Sequence, residues 1–145
     1  MSAAGPLCGQ ALRATEIGVG AAVVLAQRDF FGAELRVARR TTGQGRLSFA
    51  AACGDYEHSL GVRFEATAQF MLRPAERTGA GPYGGLGLTF VGAEGTAGAT
   101  YLTTLLGVEQ RPGTHSGWYA EVGLGGGVRF GAGWRFRRFP KWWSP

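Results

Sequence analysis

Residues that commonly carry chemistry are scarce in this chain. It holds two cysteines, two histidines and one lysine in 145 residues. No Cys/His spacing suits a metal, so neither a metal nor a cofactor is expected. Charged residues make up only 17%, against a typical ~25%. That is too little charge to coat an exterior that faces water everywhere. Long apolar runs are missing too. A spanning helix needs ~18 consecutive apolar residues, and the longest candidate, Ile17 to Ala26, is shorter and interrupted by Gly18 and Gly20. Met1 to Thr15 has neither a basic start nor an apolar core, so no signal peptide is visible there. Leu7-Cys8 lacks the small preceding residue of a lipoprotein cleavage box.

What the chain has instead is glycine, 26 residues of it. The glycines follow no three-residue period, which excludes collagen. They lie among apolar alternations. The last such stretch places Val128, Phe130, Ala132, Trp134 and Phe136 on one face. Arg129, Gly131, Gly133, Arg135 and Arg137 fall on the other. Side chains of a β-strand alternate sides at a period of two, so the stretch reads as a strand with one apolar and one polar face.

Eight such strands are expected: Glu16 to Gln27, Phe30 to Arg39, Gly45 to Cys53, Leu60 to Leu72, Tyr83 to Val91, Gly98 to Glu109, Gly117 to Gly125, and Gly127 to Arg137. The sixth, rich in Thr and Leu, has no clear facing. Turn residues punctuate the joins, with Arg73 to Pro82 the longest connection. Short connections favour antiparallel neighbours. The expected fold is all-β, an eight-stranded antiparallel up-and-down barrel, because closure removes exposed strand edges. The expected division is an N-terminal arm over 1–15, the barrel over 16–137 and a basic aromatic tail over 138–145.

Two facings fit this pattern. A soluble barrel puts the apolar face inside, and a membrane barrel turns it to lipid. The polar face is mostly small residues with a few charges of both signs: Glu34, Arg36, Arg63, Glu65, Glu121, Arg129 and Arg135, together with Arg46. Such a face fits an enclosed eight-stranded lumen, filled by side chains, where mixed signs let buried charges pair. The opposite face carries Phe31, Phe49, Phe64, Phe70, Phe90, Trp118, Phe130, Trp134 and Phe136, with no charge within the strands. The polar-inside arrangement is the favoured one. Aromatics near strand ends, Tyr83, Trp118, Trp142 and Trp143, suit an interface. The expected membrane or partner interface comprises Trp118, Trp134, Trp142, Trp143, Arg137, Arg138 and Lys141, where rings sit at head-group depth and bases reach phosphates.

The strand pattern, the Gly–aromatic alternation and the amphipathic last strand together resemble the eight-stranded type of small bacterial outer-membrane β-barrel. The resemblance covers roughly Glu16 to Phe136. It implies a closed antiparallel barrel with a polar, sometimes ion-paired interior.

No catalytic set emerges. His58-Ser59 and His115-Ser116 lie in polar turns, the first beside Asp55 and Glu57. The glycine runs lack the following helix and lysine of a phosphate loop. Cys8 and Cys53 are candidates for a disulfide in an oxidising compartment. The leading expectation is a non-enzymatic outer-membrane barrel with a structural or interaction role, partnered by a lipid bilayer or a larger membrane assembly. One alternative is a soluble lipocalin-like barrel, periplasmic or secreted, that binds a small apolar ligand. Another is an accessory subunit docking onto a larger assembly. Nucleic acid is not an expected partner.

Overall fold

The computed structural model describes residues 13–27, 29–41, 44–56, 58–93 and 98–143. Eight strands form one closed barrel in sequence order: β1 (Thr15–Leu25), β2 (Phe30–Arg40), β3 (Gly45–Tyr56), β4 (Ser59–Met71), β5 (Ala80–Ala93), β6 (Ala99–Gln110), β7 (Ser116–Leu124) and β8 (Val128–Arg138). Every neighbouring pair is antiparallel, and β8 closes on β1 from Thr15↔Arg138 to Leu25↔Val128. The terminal end carries both ends of the sheet and the connections 41–44, 72–79 and 111–115. The hairpin end carries 26–29, 57–58, 94–98 and 125–127.

Strand limits differ from expectation at several ends. β3 runs on to Tyr56, because Gly54 still pairs with Gly32 and with Gly61. β5 begins at Ala80 and absorbs Pro82, tolerated near the start of a strand. β1 stops at Leu25. Two turns have clear local causes. His58 sits at φ 69°, and its N–H donates to Asp55 Oδ1 at 2.8 Å. Gly126 at φ 75° and Gly127 at φ 138° let β7 return as β8.

The alternation holds around the whole barrel. Outward positions carry the large apolar side chains, from Val128 at 39% exposed to Leu102 at 73%. Among the described strand residues, charge on this outer face is confined to its rims, at Arg39 and Arg138 on the terminal end and Asp55 on the hairpin end. β6 resolves with Thr103, Leu105 and Glu109 inward and Leu102, Thr104 and Leu106 outward. An apolar lumen of the lipocalin type is thereby corrected. The rings look out, and the interior is polar.

Inward glycines make room for two inward tyrosines. Tyr83 is registered opposite Gly107, and Tyr119 opposite Gly133. A methyl group at Gly107 would lie 2.7 Å from the Tyr83 hydroxyl, and one at Gly20 would lie 2.8 Å from that of Tyr119. The rings lie across the bare backbone and wall the lumen. Tyr83 is thus not at an interface, since it shares its strand face with Gly85, Gly87 and Thr89.

Candidate functional site

Among the described residues, buried polar side chains converge in the lumen. Seven arginines (36, 40, 46, 63, 129, 135, 137) and five glutamates (16, 34, 65, 109, 121) are buried in it. They form two linked groups.

The middle group joins β2, β4, β7 and β8. Arg129 donates to Glu121 Oε2 and to Glu34 Oε2, both at 2.9 Å. Arg36 donates to Glu34 Oε1 at 2.9 Å and also to Glu121 Oε1. Glu65 lies 3.3 Å from Arg129 Nε and 3.9 Å from Arg63 Nη2. Arg63 spends its best hydrogen bond on the Gly125 carbonyl, at 2.9 Å. The Tyr83 hydroxyl donates to Glu121 Oε1 at 2.5 Å.

The second group lies toward the terminal end. Arg46 donates to Glu16 Oε2 at 3.1 Å, to Glu109 Oε2 at 2.9 Å and to Gln69 Oε1 at 2.8 Å. Arg135 donates to Glu109 and reaches back to Glu121 at 3.7 Å, linking the two groups. Its guanidinium also lies 4.7 Å from the Tyr119 ring centre and 5.5 Å from that of Tyr83. Aromatic faces of this kind attract a desolvated cation.

Four arginines share two glutamates in this second group, an excess of positive charge. Backbone carbonyls absorb it. Arg40 donates to the carbonyls of Pro74 and Pro112 at 2.8 and 2.6 Å. Arg137 donates to those of Arg111 and Thr114, each at 3.2 Å, and to Glu16 at 3.2 Å. Those carbonyls belong to the 72–79 and 111–115 connections, which Arg40 and Arg137 therefore hold over the lumen mouth. Phe139 caps Arg40 at 5.3 Å. Trp143 donates to the Gly113 carbonyl at 3.0 Å, with Arg77 4.3 Å from its ring centre.

At the hairpin end Val24, Phe30 and Ala52 form an apolar plug with Tyr56 against it. Between the two ends, Arg36, Arg46, Arg129, Arg135, Tyr119, Met71, Glu109, Thr89 and Thr103 are fully buried. The lumen is filled by its own side chains. Among the described residues, these side chains leave no water-wide passage along the barrel.

The expected site residues fall as follows. Glu34, Arg36, Arg63, Glu65, Glu121, Arg129 and Arg135 meet in the lumen. Trp118 and Trp134 are outward and directly paired, and Trp142, Arg138 and Lys141 are exposed at the terminal end. Arg137 needs correction. It is not an interface residue but a buried lumen residue, because it continues the inward parity of Arg129 and Arg135. Trp143 is half-buried in the cap over the mouth. Cys53 is exposed on the outer face, while Cys8 lies outside the described residues, as do residues 1–12 of the expected 1–15 arm and residues 94–97. Sequence reasoning missed Glu16, Arg40 and Glu109 as members of the network. Parity counted from Gly18 and from Arg36 would have found the first two.

His58 and His115 stand at opposite ends of the barrel, so they cannot share a site. His115 packs on Phe139, with ring centres 6.2 Å apart. Among the described residues no cluster of His, Cys, Asp and Glu could hold a metal ion.

No protein-family model matches the sequence, and no curated protein matches it. Solved structures do. The chain is similar to the N-terminal β-barrel domain of Pseudomonas aeruginosa OprF, at 16% identity and a TM-score of 0.72, covering 89% of this chain and 100% of that one. It is similar to the outer membrane protein OprG of Pseudomonas aeruginosa, at 11% identity and a TM-score of 0.76, covering 91% and 99%. Ail, the attachment invasion locus protein of Yersinia pestis, matches at 16% identity and a TM-score of 0.54, covering 89% and 100%. The fold is that of the small eight-stranded outer-membrane β-barrels.

Proposed function

We propose that this chain is a non-enzymatic β-barrel of the bacterial outer membrane, with a structural or interaction role. One observation carries the reading. Large apolar side chains occupy the outer face with no charge between its rims, while seven arginines are enclosed. In water this arrangement would expose a belt of rings and bury charge for no return. In a bilayer every outward ring meets hydrocarbon, and no sheet edge is left open. Strands of 9 to 14 residues suit the span, since a tilted transmembrane strand needs ~9–11. The filled lumen supports a rigid anchor rather than a pore. The exposed rims, with Trp142, Arg138 and Lys141 at the terminal end, are the surfaces left for lipid or a partner.

Refolding into detergent or vesicles tests the reading. The folded barrel should run as a heat-modifiable gel band, compact unheated and slower once boiled. A stable, soluble monomer without detergent would overturn it.

A further inference from the structure

The outer rim at the terminal end holds three arginines that differ from every arginine of the lumen. Thr15 is registered opposite Arg39 on one side and Arg138 on the other. Arg13 lies one outward step beyond Thr15 on the same chain. Arg13, Arg39 and Arg138 are exposed, and outward strand parity places Arg39 and Arg138 on the bilayer-facing side. Among the described residues none of the three has a carboxylate partner. Glu16, next in sequence, points inward and is held by Arg40, Arg46 and Arg137.

The next outward layer is apolar: Ile17 is registered with Val37 and with Phe136, all about half exposed. Two residues of strand separate the layers, ~7 Å. The guanidiniums therefore stand where hydrocarbon gives way to head groups. A cleft of about 330 Å³ opens between Arg13, Arg39, Arg40 and Thr41. The opposite rim has the reverse character, with Asp55 at its outward edge and Asp29 in its first turn.

We propose that Arg13, Arg39 and Arg138 form a binding site for the phosphate of an anionic lipid head group at the terminal-end rim. Guanidinium forks match phosphate oxygens in geometry, and the acyl chains would lie along Ile17, Val37 and Phe136. The site also gives the barrel a sidedness, since among the described residues this rim and not the opposite one presents exposed arginines. The inference rests on the bilayer reading above.

The test is lipid retention by native mass spectrometry after reconstitution into vesicles of phosphatidylcholine mixed with phosphatidylglycerol. The unsubstituted chain should retain phosphatidylglycerol preferentially. The triple variant Arg13→Gln, Arg39→Gln, Arg138→Gln should lose that preference by at least about tenfold, each cation near a membrane surface contributing several-fold. Arg111→Gln, a basic residue of the same end away from the cluster, should keep it. Equal retention by the parent and the triple variant would overturn the site. So would displacement of the lipid by inorganic phosphate alone, which would mark a site for soluble anions. Failure to fold into pure phosphatidylcholine vesicles, read from the heat-modifiable band, would count against the bilayer reading, and the lipid site would fall with it.

Discussion

Arg46 on β3 and Glu109 on β6 meet across the lumen, the guanidinium donating to Glu109 Oε2 at 2.9 Å. The contact ties strands that are not neighbours in the sheet. It braces the barrel in the direction that ladder hydrogen bonds do not. Glu109 is fully buried and also serves Arg135. Glu109→Ala would leave both guanidiniums short of a counter-charge. Breaking one side of a buried pair is destabilising by ~3–5 kcal/mol. Urea unfolding in vesicles should show a loss of that size. A change below ~0.5 kcal/mol, the range of neutral surface substitutions, would mean that the network contributes little.

Arg137 and Arg138 are neighbours on opposite faces, one buried on Glu16 and the other exposed at the rim. In neutral lipid, Arg137→Gln should lower stability by ~2 kcal/mol or more, because a buried carboxylate and the Arg111 and Thr114 carbonyls lose their donor. Arg138→Gln should stay within ~0.5 kcal/mol. Limited proteolysis would show the same contrast, with the 111–115 connection cut faster only in the Arg137 variant.

Gly107 lies under the Tyr83 ring, whose hydroxyl is fixed on Glu121. Gly107→Ala should displace the ring and break that hydrogen bond. In a Tyr83→Ala background the same change should be nearly neutral. The cycle of the two substitutions should give a coupling of ~1 kcal/mol or more. Additive effects would show that the glycine is not there to seat the tyrosine.

Conductance follows from the filled lumen. Purified protein in planar bilayers should pass no steady ionic current, since fully buried side chains occupy the barrel from Arg40 to Phe30. Stable open steps from the unsubstituted chain would require a passage that this packing does not leave.

Much of this arrangement was legible in the sequence, and the gaps have physical causes. Period-two alternation identified seven of the eight strands, while the sixth was placed without a clear facing. The make-up of the glycine face, mostly small residues with a few charges of both signs able to pair, pointed it inward. Glu109 escaped because β6 carries Leu105 inward and Thr104 outward, which inverts the usual polarity at two adjacent positions. Tyr83 was misplaced because an aromatic near a strand end suits a membrane interface as well as a lumen. Only the partner strand, with Gly107 opposite, distinguishes the two. Arg137 was grouped with the interface residues for its charge, although its parity already placed it with Arg135. The caps over the mouth depend on Arg40 and Arg137 reaching carbonyls in distant connections, and no local pattern announces such contacts.

The central claim is the facing of the sheet, and a nitroxide scan along β4 tests it most directly. Single cysteines from Leu60 to Met71, with Cys8 and Cys53 replaced by Ser, would be spin-labelled in vesicles. Accessibility would be read against oxygen, which partitions into lipid, and a water-soluble nickel complex. Labels at Phe64, Ala66, Ala68 and Phe70 should meet oxygen and not nickel. Those at Arg63, Glu65, Thr67 and Gln69 should be shielded from both, so that the signal alternates at a period of two. Alternation of the opposite phase, with the even-numbered positions shielded and the odd-numbered ones open to nickel, would contradict the account.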